Sequence, residues 1–336
     1  MTINYRLFDL EKESNELLFQ LYKETYGDEI PYRKRWDWEY DKNPRKNKII
    51  IIVAESSGHI IGATTRIPIT IKYKDRIISS AFSVNSMVHP DFRRMGVMDH
   101  LYKKGSELYD ILFSKGTLPG MYKLIMKMGY KTVKPDTYMT ALLSPLKWVF
   151  WKVRLYKSDT INNNSQNSNK RIGEYRLVDI FEDDFDEFYN RCLDSHEWVG
   201  IIKDHDYMNW RYIQNPFKSY KIFYRKKSDT IVSMVVLRSE GITGKLVDFI
   251  WDKNQIDEPD HTIKFIKKYF KKNGLLKAAC WTLIEELRMV LKKNGFFERT
   301  DFMNLSKFSK FNDYDLFNDE ITFAFVEGDS DVEYIS

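Results

Sequence analysis

Arg93, Arg94 and Gly96 stand within HPDFRRMGVMD, between the extended apolar run SSAFSVNSMV and a helical run that begins near Met98. Two cations and a glycine at a strand-to-helix turn suit one kind of ligand. The first amides of a helix lack intrahelical acceptors and point outward at the positive end of the helix dipole. A glycine in the preceding turn lets those amides converge with no side chain in the way, which makes a socket for a pyrophosphate. An exposed basic helix start with no ligand is the alternative. The net charge of +5 agrees with an anionic ligand, but 48 acidic residues against 53 basic ones are too many for a nucleic-acid binder, so no nucleic-acid partner is expected.

The elements that must position this turn recur along the chain. YRLFDL (5–10) returns as YRLVDI (175–180), WEYDKNP (38–44) as WRYIQNP (210–216), and MKMGY (126–130) as KKNGF (292–296). The offsets are 170, 172 and 166, in the same order, which indicates a duplicated unit. Each copy reads as strand, helix, a run of strands, helix, strand, helix, strands. That order predicts a mixed α/β (α+β) sheet in two tandem domains rather than a doubly wound parallel sheet. The expected division is a first domain over 1–145, a connecting helix and Asn/Ser linker over 146–170, and a second domain over 171–336. With 336 residues and 43% hydrophobic residues, the chain can fill two cores.

Val88, Pro90, Arg93 and Gly96 follow V-x-P-x-x-R-x-x-G-x-(G/A) after a strand, with Met98 in the last small-residue position. This resembles the acyl-CoA signature of the GNAT N-acyltransferase superfamily. KMGY resembles the K-x-G-F/Y helix end of the same family, and the order of elements in each half is similar to its fold. The resemblance implies that the backbone of Met87 and Val88 pairs with the pantetheine arm of acetyl-CoA or another acyl-CoA. It further implies that the turn from Arg93 through Arg94, Met95, Gly96 and Val97 to Met98 holds the pyrophosphate. Met98 departs from the usual Gly or Ala. In the second half Asp257, Glu258 and Asp260 replace the cations and no glycine is present, so that copy is expected to be degenerate and to shape the acceptor site.

Amine acylation needs a proton acceptor for the ammonium and a donor for the departing thiolate. Where the family often keeps a tyrosine, Ile125 stands here; Tyr122, one turn earlier, is the candidate acid, or else an aromatic packed on its helix. No carboxylate lies on SSAFSVNSMV, where relatives often carry the base. Asn85 and Ser86 could order a water at the acceptor, and His89 follows the strand. The acidic chain end offers Asp329 as proton acceptor and Asp331 as a contact to the amine, unless it is a solvated tail. Trp38 and Tyr40 recur in the half without an acyl-CoA turn, so a structural role is favoured, with Asn-Pro ending a helix.

The expected activity is transfer of an acetyl or short acyl group from CoA to a small-molecule primary amine. The chain resembles tandem GNAT proteins of bacterial surface-polysaccharide synthesis, which implies an amino-sugar acceptor. Peptide or cell-wall aminoacyl transfer, and a non-catalytic CoA-binding scaffold, stay open. The sequence has no GxSxG, Walker, HExxH or dinucleotide-binding glycine motif. Cys192 and His196 sit one helical turn apart without partners for a metal, and no metal is expected. Two cysteines and a polar N-terminus fit the cytoplasm. The aromatic and basic stretch 146–157, with Trp148 and Trp151, reads as a packed connecting helix or as a peripheral membrane contact.

Overall fold

A computed structural model describes residues 2–115, 119–133, 137–153, 171–196, 198–300 and 305–309. The first half runs β1 (Asn4–Leu7), α1 (Glu16–Tyr26), α2 (Ile30–Trp36), β2 (Ile50–Ser56), β3 (His59–Tyr73), β4 (Arg76–Val88), α3 (Val97–Ser106), β5 (Ile111–Lys115), α4 (Pro119–Lys127), β6 (Lys131–Thr132), β7 (Thr137–Leu142) and α5 (Pro145–Lys152). The second half runs β8 (Arg171–Ile172), β9 (Tyr175–Val178), α6 (Asp183–His196), β10 (Gly200–Ile201), α7 (His205–Met208), β11 (Lys221–Lys227), β12 (Thr230–Glu240) and β13 (Thr243–Trp251). It continues with α8 (Glu258–Lys272), β14 (Lys277–Cys280), α9 (Glu285–Lys293), β15 (Phe297–Thr300) and β16 (Leu305–Ser309).

These strands form two eight-stranded mixed sheets. The apolar run of β2 is buried on both faces, because successive side chains point to opposite sides. Ile51 and Val53 join Leu18, Leu21, Tyr32 and Trp36 of α1 and α2. Ile52 and Ala54 join Val97 and Leu101 of α3 on the other side. In the second half the buried faces of α6, α8 and α9 pack into one large core with β11 to β14. No helix among the described residues is long and apolar enough to cross a membrane.

The two sheets exchange strands. The first sheet has the order β1-β2-β3-β4-β5-β16-β6, with β10 paired to β3; the second has β15-β7-β14-β13-β12-β11-β9-β8. Thus β7 leaves the first half and inserts between β14 and β15, pairing Ala278 with Ala141 and Glu298 with Met139. In return β16 inserts between β5 and β6, pairing Lys307 with Phe113 and with Lys131. Beneath the exchange lies a shared core in which Phe82, Ile111 and Phe113 meet Val199, Ile201, Trp281 and Leu283.

The repeated tryptophans close the junction. Each sits in a π-helical turn, Asp37–Asp41 and Asn209–Ile213. Trp38 Nε1 donates to the Trp210 carbonyl at 3.0 Å, and Trp210 Nε1 donates to the Trp38 carbonyl at 2.7 Å. The two rings stack with centroids 4.9 Å apart. Because each half completes the other's sheet and satisfies the other's indole, the halves must unfold together. Trp38→Ala should lower stability by about 3–5 kcal/mol, read as a shift in denaturant midpoint within a single transition. Two separate transitions in the wild type would contradict the shared core.

Candidate functional site

β4 is paired unequally along its length. Its parallel partner β5 accompanies it only from Ser80–Ile111 to Phe82–Phe113. On the other edge, β3 follows it as far as Val88 opposite Gly62, with a register shift between Ala63 and Thr65. Asn85 occupies this bulge in the left-handed region, at φ 49°. A bulge bends its strand, and beyond Phe82 the edge of β4 toward β5 carries no paired strand among the described residues. Met87 and Val88 lie on this open edge, where an extended ligand can be added by main-chain hydrogen bonds.

The edge runs straight into the turn. His89 leads a short 3₁₀ turn, Pro90–Phe92, and Arg93 follows in extended conformation. Arg94 and Gly96 are both left-handed, at φ 66° and 76°, and Gly96 caps α3. Alternation of hand turns successive amides toward one side. Among the described residues no backbone carbonyl accepts from the amides of Arg94 to Met98. Arg93 braces the turn: its Nε donates to the Val88 carbonyl at 3.3 Å and its Nη2 to the Thr25 carbonyl at 3.4 Å. Arg94 and Met95 are exposed, while Val97 is buried under α3. His89 is bound locally, its Nδ1 accepting from the Asp91 amide at 3.3 Å.

The corresponding helix start in the second half carries a carboxylate engaged by its own side-chain partners. Glu258, at the first turn of α8, is buried; its carboxylate accepts from Ser233 Oγ at 2.6 Å and pairs with Arg225. An internal carboxylate thus stands where the first half leaves free amides.

Behind β4, on the α3 side, lies a buried polar chain that sequence reading missed. Thr64 Oγ1 and Ser86 Oγ are 2.8 Å apart, and Ser86 Oγ and the Tyr102 hydroxyl 3.0 Å. Fully buried Arg66 donates to Thr64 Oγ1 at 2.7 Å and lies 4.7 Å from the Tyr102 ring. Gly105 permits this, since a Cβ there would sit 2.4 Å from Arg66 Nη2. Ile125 is packed in the same core as Tyr130. Burial pushes the Tyr130 phenol up, and the neighbouring Ser83 hydroxyl offsets part of that. Tyr122 is half-buried, with its hydroxyl 2.7 Å from Thr132 Oγ1. Asp329 and Asp331 lie outside the described residues.

On the opposite face of β4, where Phe82 and Val84 point, a small cavity opens between the halves. The two π-turns wall it, and the middle residues of W-x-Y meet there: Glu39 from one turn and Arg211 from the other. Arg35 of α2 completes its charged lining. Asn85 bridges the cavity to the bulge, accepting from Arg35 Nη2 at 3.2 Å and donating to the Tyr40 hydroxyl at 2.8 Å. The signal for Glu39 was present in the repeat, as the one place where WEY and WRY carry opposite charges.

An unpaired strand edge that ends in converging amides can take a pantetheine arm and then its pyrophosphate. Residues 7–117 match the model of the acetyltransferase (GNAT) domain, so the first half carries that domain. The fold of the whole chain is similar to a conserved Enterococcus faecalis protein described as a probable N-acyltransferase, with TM-score 0.64 and 10% identity over 92% of this chain and 73% of that one. It is likewise similar to a GCN5-related N-acetyltransferase from Anabaena variabilis, with TM-score 0.62 and 12% identity over 90% and 72%. N-myristoyltransferase from Saccharomyces cerevisiae, solved with bound myristoyl-CoA, matches with TM-score 0.52 and 12% identity over 91% and 82%. No curated protein matches the chain in sequence.

A Cβ on Gly96 would make only ordinary van der Waals contact, with Asp99 Oδ2 and the His100 ring at 3.9 Å. Gly96→Ala therefore meets only the left-handed backbone penalty, about 1–2 kcal/mol of stability, and should bind acetyl-CoA within a few fold of wild type. Gly96→Glu brings a carboxylate to the amides and should weaken binding at least about tenfold. Calorimetric titration with acetyl-CoA checks both, and unchanged affinity in Gly96→Glu would remove the pyrophosphate from this turn.

Proposed function

We propose that the chain moves an acetyl or other short acyl group from CoA to a primary amine, with an amino sugar as the acceptor class. The observation that carries the donor half is the open β4 edge running into the free amides of the Arg94–Gly96 turn. The amino-sugar acceptor rests on the resemblance to tandem GNAT proteins of surface-polysaccharide synthesis.

In this reading Met87 and Val88 offer main-chain groups to the pantetheine arm, and the amides from Arg94 to Met98, backed by the charge of Arg93 and Arg94, hold the pyrophosphate. The bound thioester supplies the activated acyl carbon. Asn85 lies at the bend between the two substrates, where it orients the amine or an ordered water. Tyr122 gives a proton to the departing thiolate, its hydroxyl oriented by Thr132. One donor site per chain follows, because the second half carries Asp257, Glu258 and Asp260 where the first has its cations and glycine.

Calorimetry should find one acetyl-CoA per chain, and thiol release should rise on adding glucosamine. Binding without turnover on any primary amine would favour a non-catalytic CoA-binding protein. Absence of binding would overturn the reading.

The connecting helix adds a second proposal, of place rather than chemistry. Leu146, Val149, Phe150 and Val153 are exposed at helical spacing along α5, beside Lys147 and Lys152 and with Lys152 Nζ 5.1 Å from the Trp148 ring. An apolar stripe flanked by lysines fits the surface of an anionic bilayer. Leu146→Glu with Phe150→Glu should reduce co-sedimentation with phosphatidylglycerol vesicles several-fold. Equal binding by variant and wild type would sink this contact.

A further inference from the structure

The cavity between the halves holds charges that the donor site does not use. Arg35 is only 3% exposed and Glu39 only 5%. One Arg35 donor reaches Asn85. Arg35 Nη1 stands 3.7 Å from Glu39 Oε2, beyond hydrogen-bond length, and neither Nη1 nor Nε has a hydrogen-bond partner among the described residues. A buried guanidinium in that state is unfavourable, because its N–H groups have lost water and gained nothing. Its planar fork matches a carboxylate edge.

Glu39 is equally under-served. Asn85 Nδ2 stands 3.5 Å from each of its oxygens. Burial pushes its carboxyl up, while the charge of Arg35, the Asn85 contact and Arg211 pull it part of the way back. Among the described residues the phenols of Tyr32 and Tyr40 stand beside it, both raised by burial first, and Tyr207 lines the same cavity.

We propose that this cavity receives the reacting end of the acceptor, and that this end carries a carboxylate beside its primary amine: Arg35 holds the carboxylate and Glu39 takes the proton the ammonium must lose. The inference rests on the acyl-transfer reading and narrows its acceptor to amino acids in the broad sense, amino-uronic sugars included. A cavity of about 40 Å³ has room for about three water-sized groups, which suits an end group and not a whole acceptor. Arg35 and Arg211 stand with Glu39 in its lining. Phe82 and Val84 of β4 line the cavity, so the acceptor meets the same strand whose edge is open to the donor.

The proton count closes. The ammonium gives one proton to Glu39 and becomes a nucleophile. Its nitrogen forms the C–N bond as the C–S bond breaks, and the second proton leaves with the thiolate as CoA thiol. Glu39 then returns its proton to water.

The test uses the full chain and two probe pairs that differ only in the carboxylate, β-alanine against propylamine and glucosaminuronate against glucosamine. Thiol release is followed across acid to alkaline pH. In the wild type each carboxylated probe should show kcat/KM at least about tenfold above its partner, the worth of a charge-assisted contact. Arg35→Gln should abolish that preference, mainly through KM. Glu39→Gln should lower kcat for all probes and move the fall in rate toward acid up to the titration of the amine itself, since the carboxylate that takes the ammonium proton is gone. Equal use of both members of each pair by the wild type overturns the proposal and leaves acyl transfer standing. An acid limb at the same pH in Glu39→Gln as in the wild type overturns the role of that carboxylate. Calorimetry on acetyl-CoA-loaded wild type with the same probes needs no variant to fold and no turnover: carboxylate-dependent binding supports the inference, and its absence overturns it. Failure to bind acetyl-CoA would instead strike the acyl-transfer reading.

Discussion

Two indole N–H groups, each donated to the other tryptophan's carbonyl, fix where the halves of this chain meet. A buried indole without an acceptor loses its hydration for nothing, and for both Trp38 and Trp210 the acceptor lies in the opposite half. The contact therefore cannot be satisfied by either half alone. Once it is made, the residues that follow each tryptophan, Glu39 and Arg211, face one another across a single cavity. The exchange of β7 and β16 acts in the same sense, since each sheet is continuous only when the other half contributes a strand. Site and fold thus share one constraint: the two copies must be in register at the tryptophans.

On that common frame the two copies have taken different chemistry. In each, the tyrosine of W-x-Y reaches the strand that precedes the central helix. Tyr40 accepts from Asn85 at 2.8 Å, whereas Tyr212 donates to Asp248 at 2.9 Å, and Lys203 closes that carboxylate at 2.8 Å. The second copy is internally paired at this point and again at Glu258. The first copy uses an amide in place of the carboxylate, and nearby Arg35 is left short of partners. A paired charge stabilises a fold; a buried charge left unpaired is a liability unless something arrives to meet it.

The two-sheet mixed fold and the strand–turn–helix at Arg93–Gly96 were legible because their signals are local. Strand–turn–helix order, the left-handed glycine and the Asn-Pro break all act within a few residues. Asn43 Nδ2 donates to the Glu39 carbonyl and Asn215 Nδ2 to the Arg211 carbonyl, so the shared Asn ends both π-turns as the motif suggested. Strand exchange left no such trace. TYMTAL and LSKFS read as strands in isolation, and periodicity cannot say which sheet a short strand joins. Glu39 was missed for a different reason: it stands at the variable position of a motif defined by its shared letters. Cys192 and His196, a helical turn apart in sequence, prove to be packed in the second core, where His196 Nε2 meets the Trp251 carbonyl at 3.0 Å.

Buried cations with unmet donors also need a fold able to bear them. Arg35 and Arg66 both carry N–H groups without hydrogen-bond partners among the described residues, one on each face of β4. Such groups persist only where the surroundings over-determine their positions. Here the surroundings are the aromatic packing of α2, with Tyr32, Trp36 and Tyr40 in mutual contact, and the Gly105 notch that admits Arg66. A domain of half this size buries a smaller share of its surface and has less stability in reserve. The second copy supplies that reserve together with one wall of the cavity, which gives a physical reason for such a site to be built from two sheets.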